Sequence, residues 1–114
     1  ALFGEAVIRM TRSIHCDATS RPIVSQLVRA ATSIGANYLE ADDAGSRKEF
    51  HYRISLCRRE SRETGYWLRM LVAAMPSVRE SAKTMWVEAD ELNRIFAAIN
   101  RHRDRPANKP NRST

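Results

Sequence analysis

Apolar side chains recur along this chain at alternating spacings of four and three residues, the period at which one face of an α-helix meets a neighbour. Polar breaks divide the pattern into four runs. The first, Phe3, Val7, Met10 and Ile14, predicts a helix from Ala1 to about Asp17, with Arg9 and Arg12 offset by Glu5 and Asp17. Thr19, Ser20 and Arg21 lead to Pro22, and Ser20 or Arg21 ahead of a proline in the first turn reads as a helix start. From there Ile23, Leu27, Ala30, Ile34, Asn37 and Ala41 form a heptad seam. Asn37 is its one polar position; an amide in such a seam sets helix register, because a slipped arrangement would bury it unpaired. Asp42, Asp43 and Gly45 end the helix in a polar turn.

Ser46-Arg47-Lys48-Glu49 reads as a capping box that starts a third helix at Arg47. No proline interrupts it until Pro76, which makes it the longest element, about 28 residues. At 100° per residue its side chains fall on three lines. Phe50, Ile54, Cys57, Ser61, Thr64, Leu68 and Val72 are the core line. Arg47, His51, Arg58, Arg62 and Arg69 make a basic line beside it. Tyr52, Leu56, Trp67, Met70 and Ala74 make a second apolar line, broken by Glu60 and Glu63. A helix with two separate apolar lines touches two neighbours, and here the second is expected to be another subunit, with Tyr52, Leu56, Trp67 and Met70 in the interface. Gly65 lies inside this helix at a cost of about 1 kcal/mol relative to alanine, and nothing in the sequence explains it.

Ser77 and Glu80 repeat the capping-box spacing after Pro76 and open a fourth helix. Along it Val78, Ala82, Met85, Ala89, Leu92, Phe96 and Ile99 keep the cleanest heptad of the chain. The pattern stops at Asn100. Arg101 to Thr114 is polar, carries two prolines, and is expected to be a flexible basic tail following a single domain over residues 1–100. The expected fold is therefore all-α: an antiparallel, up-down four-helix bundle with a long third helix.

The formal charge is +6 over 114 residues. It is unevenly placed: residues 46–76 sum to +4 and residues 100–114 to +4, while the rest is neutral or slightly acidic. A concentrated excess of this kind suits a polyanionic partner. Cys16 and Cys57 are the two cysteines and belong to no CxxC or Cys/His cluster, so neither zinc nor a disulfide framework is indicated. The longest apolar run, Met70 to Met75, is far short of the ~20 residues of a membrane span. No signal peptide opens the sequence, and a cytoplasmic location is expected.

Three segments in order resemble the bacterial four-helix bundle family whose founding members are encoded by intervening sequences inside 23S ribosomal RNA genes. They are Ser33 to Ala41 (SIGANYLEA), Ser46 to Phe50 (SRKEF) and Glu60 to Leu68 (ESRETGYWL). The match covers about residues 22 to 75 by motif and the flanking helices by pattern. The resemblance implies a homo-oligomer, a cone- or barrel-like pentamer, and a relationship to accessory proteins of diversity-generating retroelements, which associate with a reverse transcriptase and its RNA. On the matching positions it implies that Asn37, Glu40, Glu60 and Glu63 form inter-helix or inter-subunit hydrogen bonds. Arg47, Lys48 and Arg62 become candidate anion contacts.

Catalysis requires converging acids, bases, nucleophiles or metal ligands. His15, His51 and His102 are scattered, and no HExxH, glycine-rich phosphate loop or nucleophile elbow occurs. The sequence thus reads as a non-enzyme without cofactor or metal. Its leading function is nucleic-acid binding, RNA before DNA, through phosphate contacts from Arg47, Lys48, Arg58, Arg62 and Arg69, joined by Arg101, Arg103, Arg105, Lys109 and Arg112. The alternative is an oligomeric scaffold that presents a surface to a protein partner.

Overall fold

A computed structural model of the chain describes residues 2–103. Among these residues the structure is all-helical: α1 (Leu2–Arg12), α2 (Ser20–Asp42), α3 (Arg47–Ala74), a single 3₁₀ turn (Pro76–Val78) and α4 (Arg79–Arg103). Short connections make sequential helices antiparallel neighbours. α2 packs on α3, α3 on α4, and α1 closes the ring against α2 and, slightly, α4. With 11 residues against 23, 28 and 25, α1 covers only one end of this ring.

The core has two parts. Beneath α1, Val7, Leu27, Ala31, Leu68, Leu71 and Ala82 are buried together. Farther along, Ile34, Ala41, Ile54, Cys57 and Phe96 form a second cluster, with Phe3 bridging the two. The core line expected on α3 is buried or half-buried throughout, and so is the α4 heptad.

Local chemistry moves several boundaries. α1 stops at Arg12, not near Asp17, because Asp17 caps the next helix. Its Oδ1 accepts from the backbone amides of Thr19 and Ser20 at 3.1 and 2.8 Å and from Ser20 Oγ at 3.0 Å. Ser20 Oγ in turn accepts from the Asp17 amide at 2.9 Å. That reciprocal pair satisfies the orphan donors of the first turn, so Ser20, fully buried, is the far side of the cap. Hydrogen bonds from Ser20, first through its backbone amide and then its hydroxyl, hold the Asp17 carboxyl below the ordinary aspartate range. At α3, Ser46 Oγ accepts from the Glu49 amide at 3.0 Å. Glu49 reaches back to the amide of Gly45, one residue earlier than a full capping box would place it, at 3.3 Å.

α4 does not start on a Ser77 cap. Met75 leaves the helical region (φ −148°, ψ 77°), as a residue before proline tends to, and Pro76 opens a 3₁₀ turn with Ser77 inside it. α4 also runs to Arg103, three residues past the expected end at Asn100. Arg101 and Arg103 are thus helical residues, and Arg105, Lys109 and Arg112 lie outside the described residues. No described helix is long and apolar enough to cross a membrane.

Candidate nucleic-acid interface

α3 uses its two flanks differently. On the α2 side the polar residues pair within the chain. Arg29 Nη1 lies 3.4 Å from Glu60 Oε1, and its Nη2 donates to Glu63 Oε2. Glu63 also accepts from Trp67 Nε1 at 3.1 Å. Arg53 reaches Asn37 Oδ1 at 3.4 Å and Glu40 at 3.9 Å, while Asn37 Nδ2 donates to the Ser33 carbonyl at 3.0 Å. Asn37, Glu40, Glu60 and Glu63 therefore all sit in the α2–α3 seam. Arg59 lies against Glu60 at 3.9 Å, because Arg29 from α2 has taken Glu63.

Trp67 is drawn into the same seam. Its ring packs against the core cluster under α1, and its edge meets the neighbouring Tyr66 at 4.9 Å between centroids. The exposed aromatics on the outer side of α3 are Tyr52 and Tyr66. Leu56 and Met70 are half-buried.

The α4 side of α3 carries the cations. Arg58, Arg62 and Arg69 are exposed, and α4 sets Arg79 and Lys83, both exposed, across the groove from Arg69. Among the described residues none of these five has a carboxylate within 4.0 Å. Arg94 differs: it pairs with Asp90 at 2.9 Å. The basic line is interrupted at His51, which is buried, its Nδ1 3.1 Å from Asn100 Oδ1. Asn100 Nδ2 donates onward to Ser55 Oγ at 2.8 Å. An imidazole at that position on the wheel faces α4, so it is packed between helices and not offered to an anion. Arg47 and Lys48, exposed in the first turn of α3, lie beyond it. About 11 residues at 1.5 Å each separate Arg47 from Arg58, roughly 16 Å along the axis. The His51–Asn100 contact brings Arg101, also exposed, to this same end; the side chain of Arg103 lies outside the described residues.

Between α3 and α4 the surface is concave. One groove of about 830 Å³ has Leu68, Val72 and Trp86 in its wall, with Arg69, Arg79 and Lys83 at its rim. A smaller hollow of about 250 Å³ continues past Trp86 to Arg62 and Asn93. Asn93 Oδ1 is buried there without a partner. Gly65 now has an explanation: a Cβ at this position would stand 3.2 Å from Trp86 Nε1, so glycine lets the indole seat between the helices.

Arg79, Lys83, Trp86, Asp90 and Asn93 do not stand out as a group in the sequence. Their spacing of four, three, four and three runs parallel to the apolar heptad and is the one signal that could have found them. It is a flank line, and flank lines become visible only once the neighbour of the helix is known.

The Cys57 thiol is pushed up to about 11 by burial, which leaves it a packed, unreactive group at neutral pH. No cluster of three or more His, Cys, Asp or Glu side chains placed to hold a metal occurs among the described residues.

A family model described as 23S rRNA-intervening sequence protein matches residues 2–98. Among solved structures, the chain is similar to the crystal structure of a protein of unknown function from the S23 ribosomal protein family of Bacteroides thetaiotaomicron VPI-5482. The identity is 26% with a TM-score of 0.65, over 87% of this chain and 85% of that one. No curated protein matches it.

Proposed function

The chain belongs to the family of 23S rRNA-intervening sequence proteins, and from that premise we propose that it is a non-catalytic homo-oligomer that binds structured RNA through the phosphate backbone. One observation carries the reading. Arg62, Arg69, Arg79 and Lys83 line the adjoining hollows between α3 and α4, exposed Arg58 continues their line on α3, and none of the five has a carboxylate within 4.0 Å among the described residues. Cations gathered in this way repel one another unless an anion joins them, and each can displace a counterion from a phosphate. The family description names 23S rRNA, which points the search at RNA. Arg47, Lys48 and Arg101 extend the charge at one end, and Arg105, Lys109 and Arg112 add to it in sequence.

Self-association is the second half of the proposal. Tyr52 and Tyr66 are 56% and 53% exposed on the outer side of α3, Tyr66 at the edge of the hollow that Arg62 and Arg69 line, with Leu56 and Met70 beside them. Large exposed aromatics flanked by apolar positions suit contact with another copy, and the family resemblance favours five copies.

Mobility shift with structured ribosomal RNA, across roughly 50 to 300 mM salt, tests the first half. Affinity should fall log-linearly with salt, and replacing Arg58, Arg62 and Arg69 by Gln should flatten the slope by about 0.7–0.9 for each phosphate no longer neutralised. Absence of binding at the lowest salt by folded protein would refute RNA binding. Light scattering tests the second half, with a mass near five times 13.0 kDa expected and a monomer as the refuting result. An oligomer that ignores RNA would instead support the rival scaffold reading, in which the aromatic face serves a protein partner.

A further inference from the structure

Phosphate contacts use the rim of the α3–α4 groove and leave its floor unexplained. That floor is apolar, with Leu68, Val72 and Trp86 in the wall beneath Arg69, Arg79 and Lys83. Trp86 is 40% exposed and borders both the larger groove and the smaller hollow. Gly65, a residue disfavoured inside helices, leaves room for it: a Cβ there would stand a tight 3.2 Å from the indole nitrogen. A half-exposed indole over an apolar floor, ringed by cations, combines the two parts that proteins use to hold an unstacked base and its phosphates.

We propose that this groove is a subsite for single-stranded RNA, with one unstacked base against Trp86 and the flanking phosphates on Arg62, Arg69, Arg79 and Lys83. The proposal rests on the RNA-binding reading above and deepens it by naming the form of RNA and the residue that selects it. The volume, about 830 Å³, lies within the ~300–1,000 Å³ span of small-molecule-sized sites. Duplex RNA could satisfy the rim but not the floor, since its bases are stacked and paired. An acidic peptide would likewise answer the cations and leave the indole and the aliphatic floor without a partner; Glu80 and Asp90 in the same lining oppose either polyanion alike and do not separate the two. A looped or single-stranded segment of a structured RNA uses both.

The chain has two tryptophans, so Trp67→Phe leaves Trp86 as the sole emitter. Titrating that variant with oligo(A) should quench its fluorescence, and a fully paired hairpin stem of equal phosphate count should not. In full-length protein Trp86→Ala should weaken oligo(A) binding by roughly 5- to 150-fold, the loss of one stacked base, with stem binding unchanged within about two-fold. Trp86→Tyr should restore most of the affinity. Circular dichroism checks that each variant is folded; if Trp86→Ala is not, the quenching and the tyrosine variant still decide the question.

Equal oligo(A) affinity in folded Trp86→Ala, or quenching by the stem as strong as by oligo(A), would overturn the base subsite and leave the phosphate reading intact. Failure of wild-type protein to bind either RNA would remove both. Quenching of Trp86 by oligoglutamate in protein that binds no RNA would also remove both, and would assign the groove to an acidic peptide.

Discussion

Arg29→Ala is the sharpest test of how α2 and α3 are held in register. Arg29 spans the seam to Glu60 and Glu63. The Glu60 side chain is 9% exposed and the Arg29 side chain 43%, so the mutation leaves a nearly buried carboxylate with only the 70% exposed Arg59 beside it at 3.9 Å. At 3.4 Å and an effective dielectric of about 20 the gross attraction is roughly 5 kcal/mol. Desolvation of Glu60 cancels much of it, and water reaches Arg29. Removing one partner of a fully buried pair costs about 3–5 kcal/mol, whereas an exposed pair contributes under about 1 kcal/mol. Arg29 lies between these limits, which sets the expected loss at about 2 kcal/mol, or a fall in Tm of roughly 8–16 °C for a domain near 100 residues. Urea and thermal denaturation followed by far-UV circular dichroism would measure it. The double variant Arg29→Ala/Glu60→Gln supplies the control: a neutral amide needs no counter-charge, so about 1 kcal/mol should return. A single-mutant loss below about 0.5 kcal/mol, or a double variant no more stable than the single, would refute the argument that Glu60 depends on Arg29.

Three further outcomes follow from the core and the caps. Leu71→Ala, at a residue with no exposed surface that lies off the core line expected from sequence, should cost about 2.7–5 kcal/mol in the same denaturation assay, whereas Leu39→Ala, 68% exposed, should stay within about 0.5 kcal/mol. Asp17, with its folded-state carboxyl held below the ordinary value of 3.8, contributes stability that is present above that value and lost as pH falls through the lower folded value. Asp17→Ala should therefore reduce stability at neutral pH and flatten the acid side of the pH–stability curve. A thiol reagent at pH 7 should modify half-buried Cys16 while Cys57, with its thiol near 11, reacts only on unfolding; fast labelling of Cys57 in native protein would contradict its burial.

Much of this architecture is written in short-range spacing. The third helix runs from Arg47 to Ala74 between a Ser46 cap and Pro76, and the fourth keeps its heptad from Val78 to Ile99. Both are legible because caps, prolines and i,i+3/i+4 repeats act within one or two turns. The basic residues of α3 are legible as a line for the same reason, and the family follows from three motifs in the right order.

What the sequence could not decide is which flank of each helix meets which neighbour. His51 and Arg58 share a line on the α3 wheel, yet one is buried against Asn100 and the other is exposed, because α4 covers the first and not the second. Glu63 found Arg29 from α2 instead of its helical neighbour Arg59, and Trp67 turned into the core while Tyr66 stayed out. Gly65 and Trp86, 21 residues apart in the chain, had no reason to be read together until the helices brought them into contact. Periodicity determines that a helix has faces; the rotation of that helix about its axis is set by close packing against residues distant in sequence. The candidate interface is a product of that rotation, so its cations on α3 were visible beforehand and their partners on α4 were not.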